Sequence, residues 1–229
     1  MSSHVSIELR PGDMVAEGVE RQIFVHPDDP TRLIKITKSK QSKAYKRWTF
    51  GDLTKRYFPS TRIRSIAKQH EEFLRLSLKS IYDAGTLPPI AHYYGFAQTN
   101  LGLGEVTERI TNAAGENAPT LKDIHQTDAF DLDALNAFVN ALYEASVCVS
   151  DLNPGNIVYG YRHTGPTGED PEQTWVLVDG IGDRFAVPIR TLSTATRRFS
   201  IDDAFKRSKK LHGLTWNAKK RRFQRPTLT

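Results

Sequence analysis

Two acids and one amide in the second half of the chain have the types and spacing that a phosphotransfer site needs. Asp151 and Asn156 lie five residues apart in one loop-like segment, and Asp179 follows the apolar run Trp175–Val178. One carboxylate can orient and deprotonate a hydroxyl, while an amide and a second carboxylate can hold the Mg²⁺ that bridges nucleotide phosphates. The pattern predicts Asp151 as the catalytic base and Asn156 and Asp179 as Mg²⁺ ligands.

The segment between Asp151 and Asn156 contains residues that restrict a loop. Pro154 stiffens the backbone, and we expect Gly155 to take a conformation that other residues avoid. An ordinary turn, whose Asp and Asn side chains bond only to nearby backbone, is the alternative interpretation. A further acid after the next pair of strand-like runs favours the functional interpretation over the turn.

A β-hairpin is predicted to carry a lysine in its second strand. The runs Gln22–Val25 and Leu33–Ile36 are typical of strands, and the turn at 26–30, which contains Pro and Asp, favours a hairpin. A lysine within an apolar strand needs an anion, so we expect Lys35 to bind the α- and β-phosphates of a nucleotide. An edge lysine whose ammonium group reaches water is the alternative. Gly18, just before this hairpin, is a candidate to contact phosphate through its backbone.

The apolar spacing over Thr61–Ala84 predicts a helix that supplies an acid to Lys35. Glu71 falls on the same face as Leu74, where an unpaired acid would be costly, so we expect it to pair with the lysine. Glu72 points about 100° away from that face. A plain surface acid is the alternative interpretation of Glu71.

The order of the predicted elements indicates an α+β fold with two lobes. Strands come first, followed by the long helix, more strands, a second helix over Leu132–Cys148, the acid-containing loop and a last strand pair. We expect a β-rich N-lobe over about 1–110 and a helical C-lobe over about 111–183. The residues that follow, 184–229, are expected to form a basic C-terminal tail.

The net charge of +6 is unevenly distributed along the chain. The segment 35–68 contains 11 Lys and Arg residues against one acid, and the segment 184–229 contains 13 against two acids, so the rest of the chain is acidic. Both segments indicate an anionic partner such as nucleic acid, a lipid surface or an acidic protein. Solvated faces that balance the acidic body are the alternative interpretation.

The composition is that of an ordinary globular protein. Hydrophobic residues make up 38% of the 229 residues, and no apolar run approaches the roughly 18 residues that a membrane span needs. The first residues lack the basic and apolar regions of a secretion signal, and Cys148 is the single cysteine, which excludes an internal disulfide. We therefore expect a cytoplasmic protein.

Several of these motifs together resemble the protein-kinase-like superfamily, namely the segment 151–157, Lys35 in its strand and Asp179 with the glycine after it. The chain is more similar still to the YrbL-like family of PhoP regulatory network proteins, in the stretches 26–36, 94–95, 99–104 and 179–182. The resemblance implies a protein-kinase-like bilobal domain over 1–183 that binds a nucleotide and uses ATP and Mg²⁺.

The resemblance also implies that Glu108-Arg109-Ile110 is the hinge between the lobes, with the backbone of Glu108 and Ile110 facing the adenine. Two positions depart from the protein-kinase pattern. Val149-Ser150 replaces the His-Arg pair before the catalytic acid, and Gly180 replaces the phenylalanine after the metal-binding acid. Only 50 residues follow that acid, which favours a reduced helical lobe.

Three hypotheses about function follow from these patterns. The first is a small phosphotransferase that uses Mg-ATP. The second is a pseudokinase that senses a nucleotide and regulates a partner, which the departures from the kinase pattern favour. The third is a binder of nucleic acid or anionic surfaces, because the basic tail mixes cations with aromatic residues in Arg197-Arg198-Phe199 and in the stretch 219–223.

Overall fold

The computed structural model describes most of the chain, in two units. The described residues are 6–18, 20–38, 60–82, 87–128, 130–163, 173–183, 193–207, 211 and 213–226. One unit comprises Met1–Thr61 with His92–Arg109, and the other comprises Arg62–Ala91 with Ile110–Thr229. The long helix, which the sequence places with the first strands, therefore groups with the second unit.

The first unit is built around a five-stranded antiparallel sheet with the strand order β1-β2-β3-β5-β4. In chain order its strands are β1 (Met14–Glu17), β2 (Arg21–His26), β3 (Asp29–Thr37), β4 (Tyr93–Thr99) and β5 (Gly102–Glu108). The predicted hairpin is confirmed, because β2 and β3 are antiparallel neighbours whose register sets Ile23 opposite Lys35. Strand β5 continues the sheet on the other side of β3, with Glu105 opposite Lys35.

The two faces of this sheet carry different side chains, because successive side chains of a strand point to opposite faces. One face buries an apolar cluster that includes Phe24, Ile34 and Val106, packed with Leu9. Lys35 follows Ile34 in β3 and therefore lies on the other face, where it is only 6% exposed. The sheet thus presents its central lysine away from its apolar cluster.

The helices and the remaining strands belong to the second unit, apart from the first two residues of the long helix. The described elements are α1 (Ser60–Tyr82), α2 (Leu121–Ile124), α3 (Leu132–Glu144), α4 (Thr194–Arg207) and the strand pairs β6 (Ile157–Tyr161) with β7 (Gln173–Leu177) and β8 (Thr215–Asn217) with β9 (Arg222–Gln224). Asp131 caps α3 by accepting the backbone N–H groups of Asp133 and Ala134. The order of strands and helices confirms the predicted α+β class. None of the described helices is long and apolar enough to cross a membrane.

The buried face of α1 lies on nearly the opposite side of the helix from the predicted face. The buried side chains of this helix include Gln69, Glu72, Phe73 and Leu76. Leu74 is instead 58% exposed, and Glu71 is exposed beside it. The prediction that Glu71 lies on the buried face is therefore wrong, and Glu72 occupies the buried position. The reason is that the buried face contains polar side chains whose partners an apolar pattern does not reveal.

The C-terminal segment packs into the second unit and differs in this respect from the predicted tail. The rings of Phe205 in α4, Trp216 in β8 and Phe223 in β9 contact one another, with centroids between 4.7 and 5.2 Å apart. Asn136 of α3 accepts the N–H of Phe223 at 2.8 Å and donates to its carbonyl oxygen at 3.1 Å. A buried aromatic residue within the basic run therefore anchors a hairpin that the charge pattern alone does not predict.

Replacing Phe223 with alanine is expected to destabilise the second unit. Removal of a buried phenyl ring leaves a cavity and costs about 3–5 kcal/mol in free energy of unfolding. Urea titration followed by tryptophan fluorescence measures this change, and Trp216 reports on the site itself. Arg222→Ala, at the exposed neighbouring position, is the control and should change stability by less than about 0.5 kcal/mol. A Phe223→Ala protein as stable as the control would contradict the packed hairpin.

Candidate functional site

The loop that contains Asp151 is joined to the segment after Asp179 through the carbonyl group of Gly180. Ser150 and Asp151 donate their backbone N–H groups to this oxygen at 2.8 and 3.1 Å. The hydroxyl group of Ser150 donates to the same oxygen at 3.0 Å. The structure therefore places the backbone of the predicted base beside the backbone that follows a predicted Mg²⁺ ligand.

Gly180 is required at this contact for two reasons. Its φ angle is +85°, in the left-handed region that residues with a side chain rarely adopt. A Cβ atom at this position would also overlap the carbonyl oxygen of Asp151. The phenylalanine that the protein-kinase pattern places here does not fit this backbone, so the close contact itself explains the departure at Gly180.

Asn156 lies at the end of a single 3₁₀ turn, Pro154–Asn156, in the same loop. The side chain of Asn153 accepts the N–H of Gly155 at 3.1 Å and closes this turn. The side-chain amide nitrogen of Asn156 donates to the backbone carbonyl oxygen of Asp151 at 3.4 Å. This bond joins Asn156, the predicted metal ligand, to Asp151, the predicted base. Gly155 does not adopt a left-handed conformation. The prediction for this glycine is wrong, because the Asn153 cap holds the turn without it.

Asp179 is positioned by two donors that share one of its carboxylate oxygens. The side-chain amide of Gln69 and the backbone N–H of Gly180 each donate to Oδ1 at 2.7 Å. Gln69 is fully buried on α1, and buried carboxamides need partners of this kind. Sequence reasoning missed Gln69, because a polar residue outside the apolar stripe gives no local signal of burial.

The side-chain oxygen atoms of Asn156 and Asp179 are suited to bind a magnesium ion. Both supply oxygen, and Mg²⁺ in nucleotide sites commonly takes one or two protein ligands and completes its shell with water and phosphate. Within the described part of the chain, no group of three or more His, Cys, Asp or Glu residues could enclose a metal ion. The Mg²⁺ site therefore stays a prediction in which Asp179 is the carboxylate ligand and Asn156 the amide ligand.

In the first unit, Lys35 lies near other charged residues on the face of the sheet opposite the apolar cluster. Its ammonium nitrogen is 6.0 Å from the ring centroid of Tyr93, and Glu105 is its cross-strand neighbour. Glu105 is buried and pairs with Arg21 of β2 at 3.1 Å, so cations from two strands neighbour one buried acid. Sequence reasoning missed Arg21 and Glu105. The alternation along β2 and β5 is the signal that places both on the face of Lys35.

Gly18 occupies the turn between β1 and β2. Its N–H donates to the carbonyl oxygen of Arg21 at 2.9 Å, so this donor is used within the strand pair. Beside the turn, Lys38 pairs with Glu17 at 2.7 Å, and the hydrogen bond from Lys38 lowers the pKa of Glu17. A contact between this turn and phosphate stays a prediction.

Glu108 ends β5, just before the chain passes from the first unit to the second between Arg109 and Ile110. Its buried side chain accepts the N–H of His92 at 3.0 Å, and its own N–H donates to the carbonyl oxygen of His92 at 2.8 Å. Ile110 accepts the N–H of Ala118 at 3.0 Å. These bonds fix the backbone at both residues that are predicted to face adenine, and the contact with adenine stays a prediction.

The two neighbouring acids of α1 have different surroundings. Glu71 is exposed and pairs with Lys68 at 2.5 Å. Glu72 is buried, accepts the N–H of Cys148 at 2.7 Å and pairs with Arg75 at 2.6 Å. The hydrogen bond to Glu72 raises the pKa of the Arg75 guanidinium. The role of either acid toward a nucleotide-binding lysine stays a prediction.

The structure describes different parts of the two basic segments 35–68 and 184–229. In the segment 35–68, residues 39–59 lie outside the described residues, while Lys35 and Lys38 are buried. In the segment 184–229, the turn between β8 and β9 exposes Lys219, Lys220 and Arg221, and Arg222, the first residue of β9, is also exposed. This turn provides a cationic surface, and an anionic partner for it stays a prediction.

The sequence matches the family described as PhoP regulatory network protein YrbL over residues 7–211. The chain belongs to this family. The match confirms the resemblance that the sequence motifs indicate, and it extends beyond them to include all of α4. No curated protein sequence matches the chain.

Solved protein kinases are similar to the chain at low sequence identity. Rio2 kinase from Chaetomium thermophilum, in its ADP/Mg²⁺-phosphoaspartate complex, is 16% identical, and the match covers 83% of this chain and 52% of that chain with a TM-score of 0.45. A second structure of this Rio2 kinase is also 16% identical, with 84% and 55% covered and a TM-score of 0.42. The PknI kinase domain of Mycobacterium tuberculosis is 13% identical, with 94% and 78% covered and a TM-score of 0.45. The chain spans about half the length of the Rio2 chains.

Gly180→Ala is expected to destabilise the second unit by about 2 kcal/mol or more, because the position combines a left-handed backbone with a blocked Cβ site. Gly155→Ala in the same region is the matched control. The atom nearest to its added Cβ would lie 3.7 Å away, so its effect should stay within about 0.5 kcal/mol. Urea and thermal unfolding measure both changes. Equal stabilities of the two variants would contradict the close contact of Gly180 with Asp151.

Proposed function

We propose that this protein is a kinase-like phosphotransferase that uses ATP and Mg²⁺. The convergence of the Asp151 loop on the carbonyl group of Gly180 is the observation that supports it most. This contact holds a candidate base beside the backbone that follows the candidate ligand Asp179. The buried amide of Gln69 that orients Asp179 also favours a site over an ordinary turn, because a turn needs no such remote support.

The three candidate site residues of the second unit, Asp151, Asn156 and Asp179, have distinct roles in the proposed reaction. The acceptor hydroxyl attacks the γ-phosphorus of ATP, the bond from that phosphorus to the bridging oxygen of the β-phosphate breaks, and ADP leaves. Asp151 accepts the hydroxyl proton and passes it to water. Asp179 and Asn156 would hold Mg²⁺, which neutralises phosphate charge when it is bound.

The predicted nucleotide-binding residues would supply the remaining contacts. Lys35 would bind the α- and β-phosphates, with an acid of α1 as its partner, and the backbone of Glu108 and Ile110 would bind the adenine. The turn at Gly18 would cover the phosphates. The position of Lys35 supports its role, because the lysine is buried beside charged residues on the face of the sheet opposite the apolar cluster.

A nucleotide-sensing regulator without catalytic activity is the alternative function. The observation that favours it is the environment of Val149, which stands where the kinase pattern has a histidine. Val149 is fully buried, and its N–H donates to the hydroxyl oxygen of Ser200 at 3.3 Å. The family description, which refers to a regulatory network, is also compatible with this alternative.

Asp179→Ala is expected to weaken Mg-ATP binding by about tenfold or more, because the variant loses a charged metal ligand. Isothermal titration calorimetry with Mg²⁺ and with EDTA measures the effect. The affinity of the wild type should fall when Mg²⁺ is removed, whereas the variant should respond little. Asp133→Ala, which removes an exposed acid on α3, is the control. Equal Mg-ATP affinity in the wild type and Asp179→Ala would rule out the proposed site.

Asp151→Asn is expected to keep Mg-ATP affinity while phosphate transfer falls about 10²- to 10⁴-fold, which is the usual contribution of a general base. Transfer is measured with γ-labelled ATP, either as autophosphorylation or as label passed to an added acceptor. A wild type that binds Mg-ATP but never transfers phosphate would establish the nucleotide-sensing alternative. Autophosphorylation that Asp151→Asn abolishes would exclude that alternative.

A further inference from the structure

A pocket of about 140 Å³ opens beside the Asp151 loop in the second unit. Asp151, Asn153 and Pro154 form one wall, while Ala204 and Arg207 of α4 form the other. The nucleotide and Mg²⁺ roles proposed above use no residue of α4. This side of the candidate base is therefore available to a second reactant.

The wall that α4 forms is held against the loop by buried contacts. The buried residues of this helix are Ser200, Ile201, Ala204 and Phe205. Ser200 accepts the N–H of Val149, two residues before the acid of the loop. Phe205 packs edge-on against Phe223 of the C-terminal hairpin. These contacts hold α4 against the loop, and Arg207, its last residue, lies in the pocket wall.

The pocket contains charges of opposite sign on its two walls. Asp151 provides a carboxylate on the loop, and Arg207 provides a guanidinium group on α4. Within the described residues, Arg207 is 58% exposed and forms an ion pair with Asp203, one turn earlier on the same helix, at 2.9 Å. A guanidinium group has five N–H donors in a planar fork, so it can contact Asp203 and still bind a second anion.

We propose that this pocket is the acceptor subsite and that the acceptor is a small alcohol bearing a phosphate or carboxylate group. The inference rests on the phosphotransferase function proposed above. The hydroxyl group of the acceptor lies at Asp151, and its anionic group lies at Arg207. A volume of about 140 Å³ suits a small molecule, whereas an extended peptide needs a longer groove or a sheet edge.

The transfer step requires only these groups and Mg-ATP, and every bond formed and broken in it is accounted for. The acceptor oxygen bonds to the γ-phosphorus as the bond from phosphorus to the bridging oxygen of the β-phosphate breaks. The hydroxyl proton moves to Asp151 and then to water, and the products are ADP and a phosphate ester that keeps its original anionic group. Arg207 binds the acceptor and does not contact the transferred group, so it sets acceptor affinity.

Calorimetric binding of small probes to the full chain, without nucleotide, tests the subsite. The probes are sn-glycerol 3-phosphate for a phosphate group and D-glycerate for a carboxylate group, with glycerol as the uncharged control. We expect saturable binding of at least one anionic probe and none of glycerol. Arg207→Gln should weaken that binding about tenfold or more, because charge-assisted hydrogen bonds are lost. Lys206→Gln, at an exposed neighbouring position outside the pocket, should bind the probe like the wild type.

Further measurements with Arg207→Lys, an acidic serine peptide and Mg-ATP separate the possible explanations of probe binding. Arg207→Lys, which keeps the charge, should recover part of the affinity, and both Arg207 variants should melt at the wild-type temperature. Failure of both anionic probes to bind, or equal affinity in Arg207→Gln, would overturn the subsite. Arg207-dependent binding of an acidic serine peptide in place of the probes would overturn the small-molecule class. A protein that binds the probe through Arg207 but not Mg-ATP would refute the phosphotransferase function and leave only an anion site.

Discussion

The contact between the Asp151 loop and the carbonyl oxygen of Gly180 is the constraint on which the rest of the candidate site depends. Three donors meet at this oxygen, two of them backbone N–H groups and one the hydroxyl group of Ser150. They can approach only because residue 180 has no side chain and a left-handed backbone. The antiparallel β6–β7 pair returns the chain to the loop, so Gly180 joins the chain segments of two acids that are 28 residues apart in sequence.

Helix α1 adds a second constraint through buried polar side chains. Gln69 donates to Asp179, and Glu72, almost one turn later, accepts the N–H of Cys148 just before the acid loop. A buried carboxylate is costly unless it is paired and hydrogen-bonded, and Arg75 supplies that pairing. One face of a single helix therefore contacts both chain segments that carry the candidate acids, and its polar residues determine how those segments are oriented.

Features that follow from local patterns could be predicted from the sequence, whereas features that depend on distant partners could not. The β2–β3 hairpin follows from turn residues and alternation, and the spacing of Asp151 and Asn156 identifies the loop without a structure. The spacing of Leu74 and Leu78 predicts the wrong face of α1, because both leucines are more than half exposed. Gln69 is buried because it finds its partner 110 positions along the chain, and periodicity within a helix contains no information about such a partner.

The C-terminal hairpin shows why charge and packing must be separated in any test of an anionic partner. Its basic turn predicts a binding surface, but Phe223 packs on α4, the helix whose Ser200 supports Val149 before the acid loop. Deletion of 213–229 would therefore remove packing that supports the loop, and a function lost on deletion would not identify the hairpin as a binding surface. Replacement of Lys219 and Lys220 with glutamine leaves Phe223 and Trp216 in place, together with the contacts of Arg221 with Asp202 of α4 and with Tyr143. Salt-dependent binding that disappears in such a variant is due to charge, because the packing of α4 is unchanged.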